Sequence, residues 1–188
     1  ASFVERLLAM CPPGGLVLDA PCGTGTYFAQ VTQAGRRVIG ADQSAGMLAQ
    51  ARARGLAEDL VHVGLEELAF EAVFDAAMTI DAMENVPPED WPLVLRNLAR
   101  AVRDGGPLYM TVEESTEATI DEAYRSLTEA GVPAVRGEVV EGDVAGYHFY
   151  PPRDRVVGWL EDAGLEIVDE GFDQQEDFGY RHLIVRAR

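Results

Sequence analysis

The stretch Leu16-Val-Leu-Asp-Ala-Pro-Cys-Gly-Thr-Gly-Thr26 constrains the fold more than any other part of the chain. Its apolar start, ending in Asp19, has the pattern of a strand buried on both faces. The run then passes through a turn of small residues into Tyr27 to Gln33, which reads as a helix. Gly23 and Gly25 let the backbone approach a ligand closely, and the N–H groups at a helix start lack intrahelical partners. In an open sheet of such units, ligands collect at the carboxyl ends of the strands, so a ligand is expected over Asp19 to Gly25.

The pattern repeats. Arg37 to Ala41 is a second strand, and Ser44 caps a helix carrying Met47, Leu48 and Ala51. Leu60 to Val63 and Phe74 to Ile80 are strands three and four, Trp91 to Val102 a helix, and Pro107 to Val112 strand five. An amphipathic helix, Phe3 to Met10, comes first and stops at Pro12-Pro13-Gly14-Gly15. The alternation predicts an α/β fold, a Rossmann-like doubly wound sheet of about seven strands, mostly parallel. From Glu113 to Pro152 the rhythm breaks around a helix at Ile120 to Ala130, so residues 113–152 are read as an insertion after strand five, on the substrate side. Arg153 to Ala163 is helical again. Leu165 to Glu170 and His182 to Arg186 are joined by a polar loop without a crossover helix, which makes the last strand antiparallel. The length fits one domain over 1–188. The chain begins at Ala1 and reaches its first strand by Leu16, so an N-terminal lid is expected to be missing or truncated.

Charge narrows the function. All 15 basic residues are Arg, which excludes chemistry that needs a Lys: Walker A phosphate binding, a pyridoxal Schiff base, or a Ser-Lys hydrolase. Residues 1–103 hold 13 acids and 8 Arg, net −5, and residues 104–188 hold 19 acids and 7 Arg, net −12. Such a field disfavours nucleic acid and anionic membrane surfaces as partners, although a solvated acidic surface also serves solubility alone. Cys11 and Cys22 form neither a disulfide framework nor a zinc pattern, no metal is expected, and a reducing, cytoplasmic setting follows. No apolar run is long enough to span a bilayer.

Asp42 ends strand two, 17 residues after Gly25, where an acid can accept hydrogen bonds from both hydroxyls of a ribose. A dinucleotide fingerprint would need a third glycine three residues beyond Gly25, where Phe28 stands. Asp19 suits a cationic amino-acid group better than a pyrophosphate. With these residues the chain resembles the small-molecule branch of the class I S-adenosylmethionine-dependent methyltransferases, and the resemblance covers most of the chain. It implies S-adenosyl-L-methionine as cofactor, with Asp19 and the backbone of Ala20, Pro21, Cys22, Gly23 and Gly25 at its methionine end. Gly40-Ala-Asp-Gln-Ser-Ala-Gly-Met-Leu48 is similar to the second motif, which implies Asp42 on the ribose and Gln43 and Met47 beside the adenine. Gly64-Leu-Glu-Glu-Leu-Ala-Phe70 is similar to the segment closing on the adenine edge; Gly64 stands where the family usually has an Asp, leaving that contact to Leu65 and Glu66. Asp81, at the end of strand four, falls where the family faces the methyl group.

Methyl transfer to an oxygen or nitrogen of a small molecule needs alignment, exclusion of water and, for a hydroxyl, a general base. His148, in Tyr147-His-Phe-Tyr-Pro-Pro152, is the candidate base, and an ordinary packed histidine in an aromatic cluster is the alternative. Met83, Glu84, Asn85, Glu113, Tyr147 and Tyr150 are candidates to meet the acceptor, with helix capping or solvation as the other reading of the polar ones. His62, His182, Trp91 and Trp159 are read as structural, and Cys22 as a small turn residue. Two rival functions remain open: an NAD-dependent Rossmann dehydrogenase, and a non-catalytic S-adenosylmethionine-binding module.

Overall fold

The computed structural model describes residues 1–141, 146–175 and 178–187. Its strands are β1 (Leu16–Asp19), β2 (Arg37–Asp42), β3 (Asp59–His62), β4 (Ala76–Thr79), β5 (Pro107–Ser115), β6 (Glu138–Glu141), β7 (Gly146–Phe149), β8 (Leu165–Gln174) and β9 (Phe178–Ala187). Seven of them form one sheet in the order β3-β2-β1-β4-β5-β9-β8, and β6 and β7 form a separate hairpin. Only β9 runs against its neighbours, pairing antiparallel with both β5 and β8. The chain order reverses between β1 and β4, and a crevice opens at such a switch point above the strand ends.

Helices α1 (Phe3–Met10), α2 (Phe28–Gln33), α3 (Ala45–Arg54), α4 (Trp91–Ala101), α5 (Glu117–Glu129) and α6 (Arg153–Asp162) complete the fold. Alternation along β1 shows why the sheet is covered twice: Val17 packs with Leu7, Phe28 and Leu48 of α1, α2 and α3, while Leu18 packs with Leu95 of α4 and Leu160 of α6. Trp91 is fully buried, and Trp159 stacks on it with ring centroids 5.1 Å apart. Ser44 caps α3 by accepting from the Met47 N–H, and Gly55 closes that helix in the left-handed region. No helix among the described residues is long and apolar enough to cross a membrane.

Three boundaries differ from expectation. The polar stretch after Glu170 does not loop out: β8 runs on to Gln174 and β9 begins at Phe178. β5 continues to Ser115, because β9 pairs with it over its whole length, opposing Glu113 to Tyr180. Glu113 and Glu114 therefore belong to the sheet, and α5, capped by Thr116, and the β6–β7 hairpin come after them. Residues 142–145 of the expected insertion, and Glu176 and Asp177 of the expected loop, lie outside the described residues.

Candidate functional site

A cavity of about 670 Å³ opens at the switch point, between the turns after β1, β2, β3 and β4. Ten of the residues expected to hold a cofactor line it: Ala20, Pro21, Cys22, Gly23, Asp42, Gln43, Met47, Leu65, Glu66 and Asp81. Asp19 and Gly25 lie behind that lining. Gly25 acts through conformation: its φ is +75°, and a Cβ there would lie 2.5 Å from the Phe28 ring.

Asp42 ties the first two turns together. One carboxyl oxygen accepts from the Gly23 N–H at 2.8 Å and the other from the Ser44 N–H at 2.7 Å. Each oxygen keeps a lone pair for a ribose hydroxyl. Asp19 is only 1% exposed, and its Oδ2 has no partner. Burial, reinforced by the nearby Asp42, holds its carboxyl well above the usual carboxylate range. Among the described residues no basic side chain lines the cavity, so a ligand's ammonium group would supply the missing donor and counter-charge. The chain's residues thus fit an adenosine bearing an amino-acid group. Cys22 is inert: burial first, then Asp19 and Asp42, push its thiol up to about 12.

A second set of polar side chains starts from Asp81 on the cavity lining. Asp81 has a left-handed backbone, φ +53°, uncommon for a residue with a Cβ. Its N–H donates to Thr111 Oγ1 at 2.8 Å, and its Oδ1 accepts from the Tyr180 hydroxyl at 2.6 Å. Glu113, buried, accepts from His148 Nδ1 at 2.7 Å. A carboxylate only accepts, so Nδ1 carries the hydrogen, and in the neutral ring Nε2 is then the atom with the free lone pair. Glu84 is 3% exposed; its Oε1 accepts from Asn85 Nδ2 at 3.0 Å, and its Oε2 has no partner. Burial raises Glu84 to about 7, its own backbone N–H opposes this, Asp81 and Glu113 add to it, and His148 lowers it.

The structure sorts the acceptor-side candidates. Asn85 reaches the cavity. Met83, expected beside the acceptor, is instead fully buried in the core, because the single 3₁₀ turn Met83–Asn85 sends its first residue inward and its last outward. Tyr147 donates to Glu138 Oε1 at 2.9 Å, and Tyr150 packs on Ile120 and Val139 with its ring stacked on His148. His62 bonds the Gln43 carbonyl, and His182 bonds Tyr109 beneath Phe3. Sequence reasoning missed Tyr27 on the cavity wall, and Thr111 and Tyr180, the anchors of Asp81. Tyr180 lay in the stretch read as a loop; extending the alternation of the last strand back to Phe178 would have found it. Among the described residues, no three His, Cys, Asp or Glu are grouped to hold a metal ion.

A switch-point cavity bounded by a small-residue turn and an acid after β2, with a buried carboxyl oxygen left without a partner, defines a Rossmann-like protein for a nucleoside cofactor. Comparison with known proteins narrows that class. Residues 17–106 match the methyltransferase domain family. The chain is 34% identical over 130 residues to the malonyl-[acyl-carrier protein] O-methyltransferase of Pectobacterium atrosepticum, covering 65% of this chain and 49% of that protein. It is 28% identical over 165 residues to the ubiquinone biosynthesis O-methyltransferase of Xanthomonas axonopodis, covering 84% and 65%. The chain thus spans about half to two thirds of the length of these relatives. A Methanosarcina mazei structure described as an S-adenosylmethionine-dependent methyltransferase superposes with a TM-score of 0.82 at 16% identity, covering 100% of this chain and 98% of that one. The chain belongs to the class I S-adenosylmethionine-dependent methyltransferases.

Proposed function

We propose that the protein binds S-adenosyl-L-methionine in the switch-point cavity and methylates an oxygen or nitrogen of a small molecule, with His148 as general base. When bound, the cofactor supplies an activated sulfonium methyl, open to in-line displacement. Asp19 would meet its ammonium group, the backbone of Ala20 to Gly23 its carboxylate, Asp42 its ribose, and Met47, Leu65 and Glu66 its adenine. His148 Nε2 takes the acceptor's proton, while Glu113 fixes the ring's tautomer and stabilises the imidazolium that forms. The observation that carries this reading is the 2.7 Å bond between buried Glu113 and His148, the latter on β7, which packs against the Met83–Asn85 turn just after the cavity residue Asp81. The two O-methyltransferase relatives support an oxygen or comparable acceptor. Both cysteines are free and buried, which suits a reducing, cytoplasmic setting.

A labelled-methyl screen of the wild-type protein against small metabolites is expected to show turnover, which a binding module would lack. His148→Gln is then expected to lower kcat by about 10²–10⁴-fold while leaving cofactor affinity within about twofold. Full activity in that variant removes His148 from the mechanism. Calorimetry with both cofactors decides the class of ligand, since tight binding of NAD without S-adenosylmethionine binding would return the dehydrogenase.

A further inference from the structure

Resting on the cofactor half of that reading, we infer that Asp81 is the counter-charge to the cofactor's sulfonium, so that the site holds the charged methyl donor in preference to its neutral thioether product. Three carboxylates line the cavity, those of Asp42, Glu66 and Asp81. Two of them are engaged at the adenosine end. Asp42 is bonded to the Gly23 and Ser44 N–H groups. Glu66 folds back over Gly64: a Cβ on that glycine would stand 3.1 Å from Glu66 Oε2 and 3.8 Å from Gln43 Oε1, so both side chains share the corner between the β2 and β3 turns. Asp81 lies on the other side. The sheet order runs β3-β2-β1-β4, and β4 pairs with β1, which sets the Asp81 turn next to the small-residue turn. In the cofactor, sulfur joins the ribose to the amino-acid arm. With the ribose on the β2 turn and the arm on the β1 turn, the third group on sulfur, the methyl, is left with the part of the cavity lined by Tyr27, Ile80, Asp81, Ala82 and Asn85. Among the described residues, Asp81 is the one charged side chain there.

The carboxylate is fixed in place. A φ of +53° persists in a residue with a Cβ only where the surroundings over-determine it. Here Thr111 of β5 takes the Asp81 N–H and Tyr180 of β9 donates to Oδ1, so two strands set the direction of the side chain, and Oδ2 has no hydrogen-bond partner among the described residues. Donor and product share the adenosine, the ammonium and the carboxylate. They differ by one methyl and one positive charge at sulfur. A carboxylate facing that atom attracts the donor and does nothing for the product, which therefore leaves more readily. Asp81 is exposed, so water screens the pair and holds the effect to about fivefold.

The test measures binding rather than turnover. Three ligands are titrated by calorimetry at low ionic strength: S-adenosylmethionine; sinefungin, which carries an ammonium in place of the methylsulfonium; and S-adenosylhomocysteine. Asn matches Asp in shape and tolerates a left-handed backbone, so Asp81→Asn removes the charge and little else. That variant is expected to weaken both cationic ligands about fivefold and S-adenosylhomocysteine by less than about twofold. Glu66→Gln removes a carboxylate from the same cavity and should keep the ratios among the three within about twofold of wild type. In the unaltered protein, added salt should weaken the two cations more than S-adenosylhomocysteine, a readout that needs no variant to fold. Parallel loss of all three ligands in Asp81→Asn, no loss of the cations, an equally selective loss in Glu66→Gln, or an equal salt response of all three overturns the proposal. The expected selectivity without methyl transfer to any acceptor would break the catalytic reading and leave this one standing. Methyl transfer with ratios indifferent to Asp81 would do the reverse.

Discussion

The two halves of the site are built by different means. The cofactor side is made of turns that directly follow neighbouring strands, so each group lies within a short run of sequence: Asp19 to Gly25, then Asp42 to Met47, then Leu65 and Glu66. The acceptor side is assembled across the fold. Asp81 is held by Tyr180, 99 residues away, and Glu113 by His148, 35 residues away on the β6–β7 hairpin. The first half depends on local backbone geometry, whereas the second depends on strand register and on how the hairpin docks. Changes on the two sides should therefore separate affinity for the cofactor's adenosyl group from everything else.

The sharpest break is expected at Glu113→Gln. An amide can turn its NH₂ toward His148 and select the wrong tautomer, so kcat should fall about a hundredfold or more, with cofactor affinity unchanged. Parallel loss of cofactor affinity would merge the halves.

Next comes Glu84. Its carboxyl keeps its proton in the folded protein to about pH 7, against 4.5 ordinarily. The folded state therefore binds more protons across that window, and stability falls as pH rises through it. That difference corresponds to roughly 3 kcal/mol above pH 7. Thermal melts of the unliganded protein should show Glu84→Gln flattening the decline between pH 5 and 8. A residual slope of the same sign is expected from Asp19, whose carboxyl is also raised.

A smaller effect is expected at Asp42→Ala. It removes the ribose acceptor and leaves the Gly23 and Ser44 N–H groups unpaired, so cofactor affinity should drop about 30-fold, roughly 2 kcal/mol, by calorimetry. Unchanged affinity would mean that the ribose lies elsewhere. The mildest change is Tyr180→Phe. It deletes one hydrogen bond to Asp81 and should alter kcat or KM by about fivefold, roughly 1 kcal/mol, while cofactor affinity stays level.

The same contrast explains what the sequence could reveal. Strand-to-turn wording is local, so Leu16 to Thr26 and Gly40 to Leu48 hold half of the residues that now line the cavity. The parallel sheet followed from the alternation of strands and helices, and its antiparallel last strand from the lack of a crossover helix before it. Acceptor-side geometry was less accessible. Glu84 and Asn85 are neighbours with the same polar character, yet one 3₁₀ turn buries the first and exposes the second. Tyr180 was hidden because the polar stretch after Glu170 reads as a loop up to His182, whereas Gly171 to Gln174 pair with β9 in one continuous ladder. No local pattern could have paired Glu113 with His148, since their meeting depends on where the β6–β7 hairpin comes to rest.

The Asp42 carboxylate, already bonded to Gly23 and Ser44, has a kinetic consequence. With the adenosine half of the cavity braced before any ligand arrives, little ordering of loops should accompany docking. Cofactor association should then rise linearly with concentration in stopped-flow measurements, without the plateau that a slow opening step imposes. Cutting the brace at Asp42 should shift control of the encounter from diffusion to conformational search.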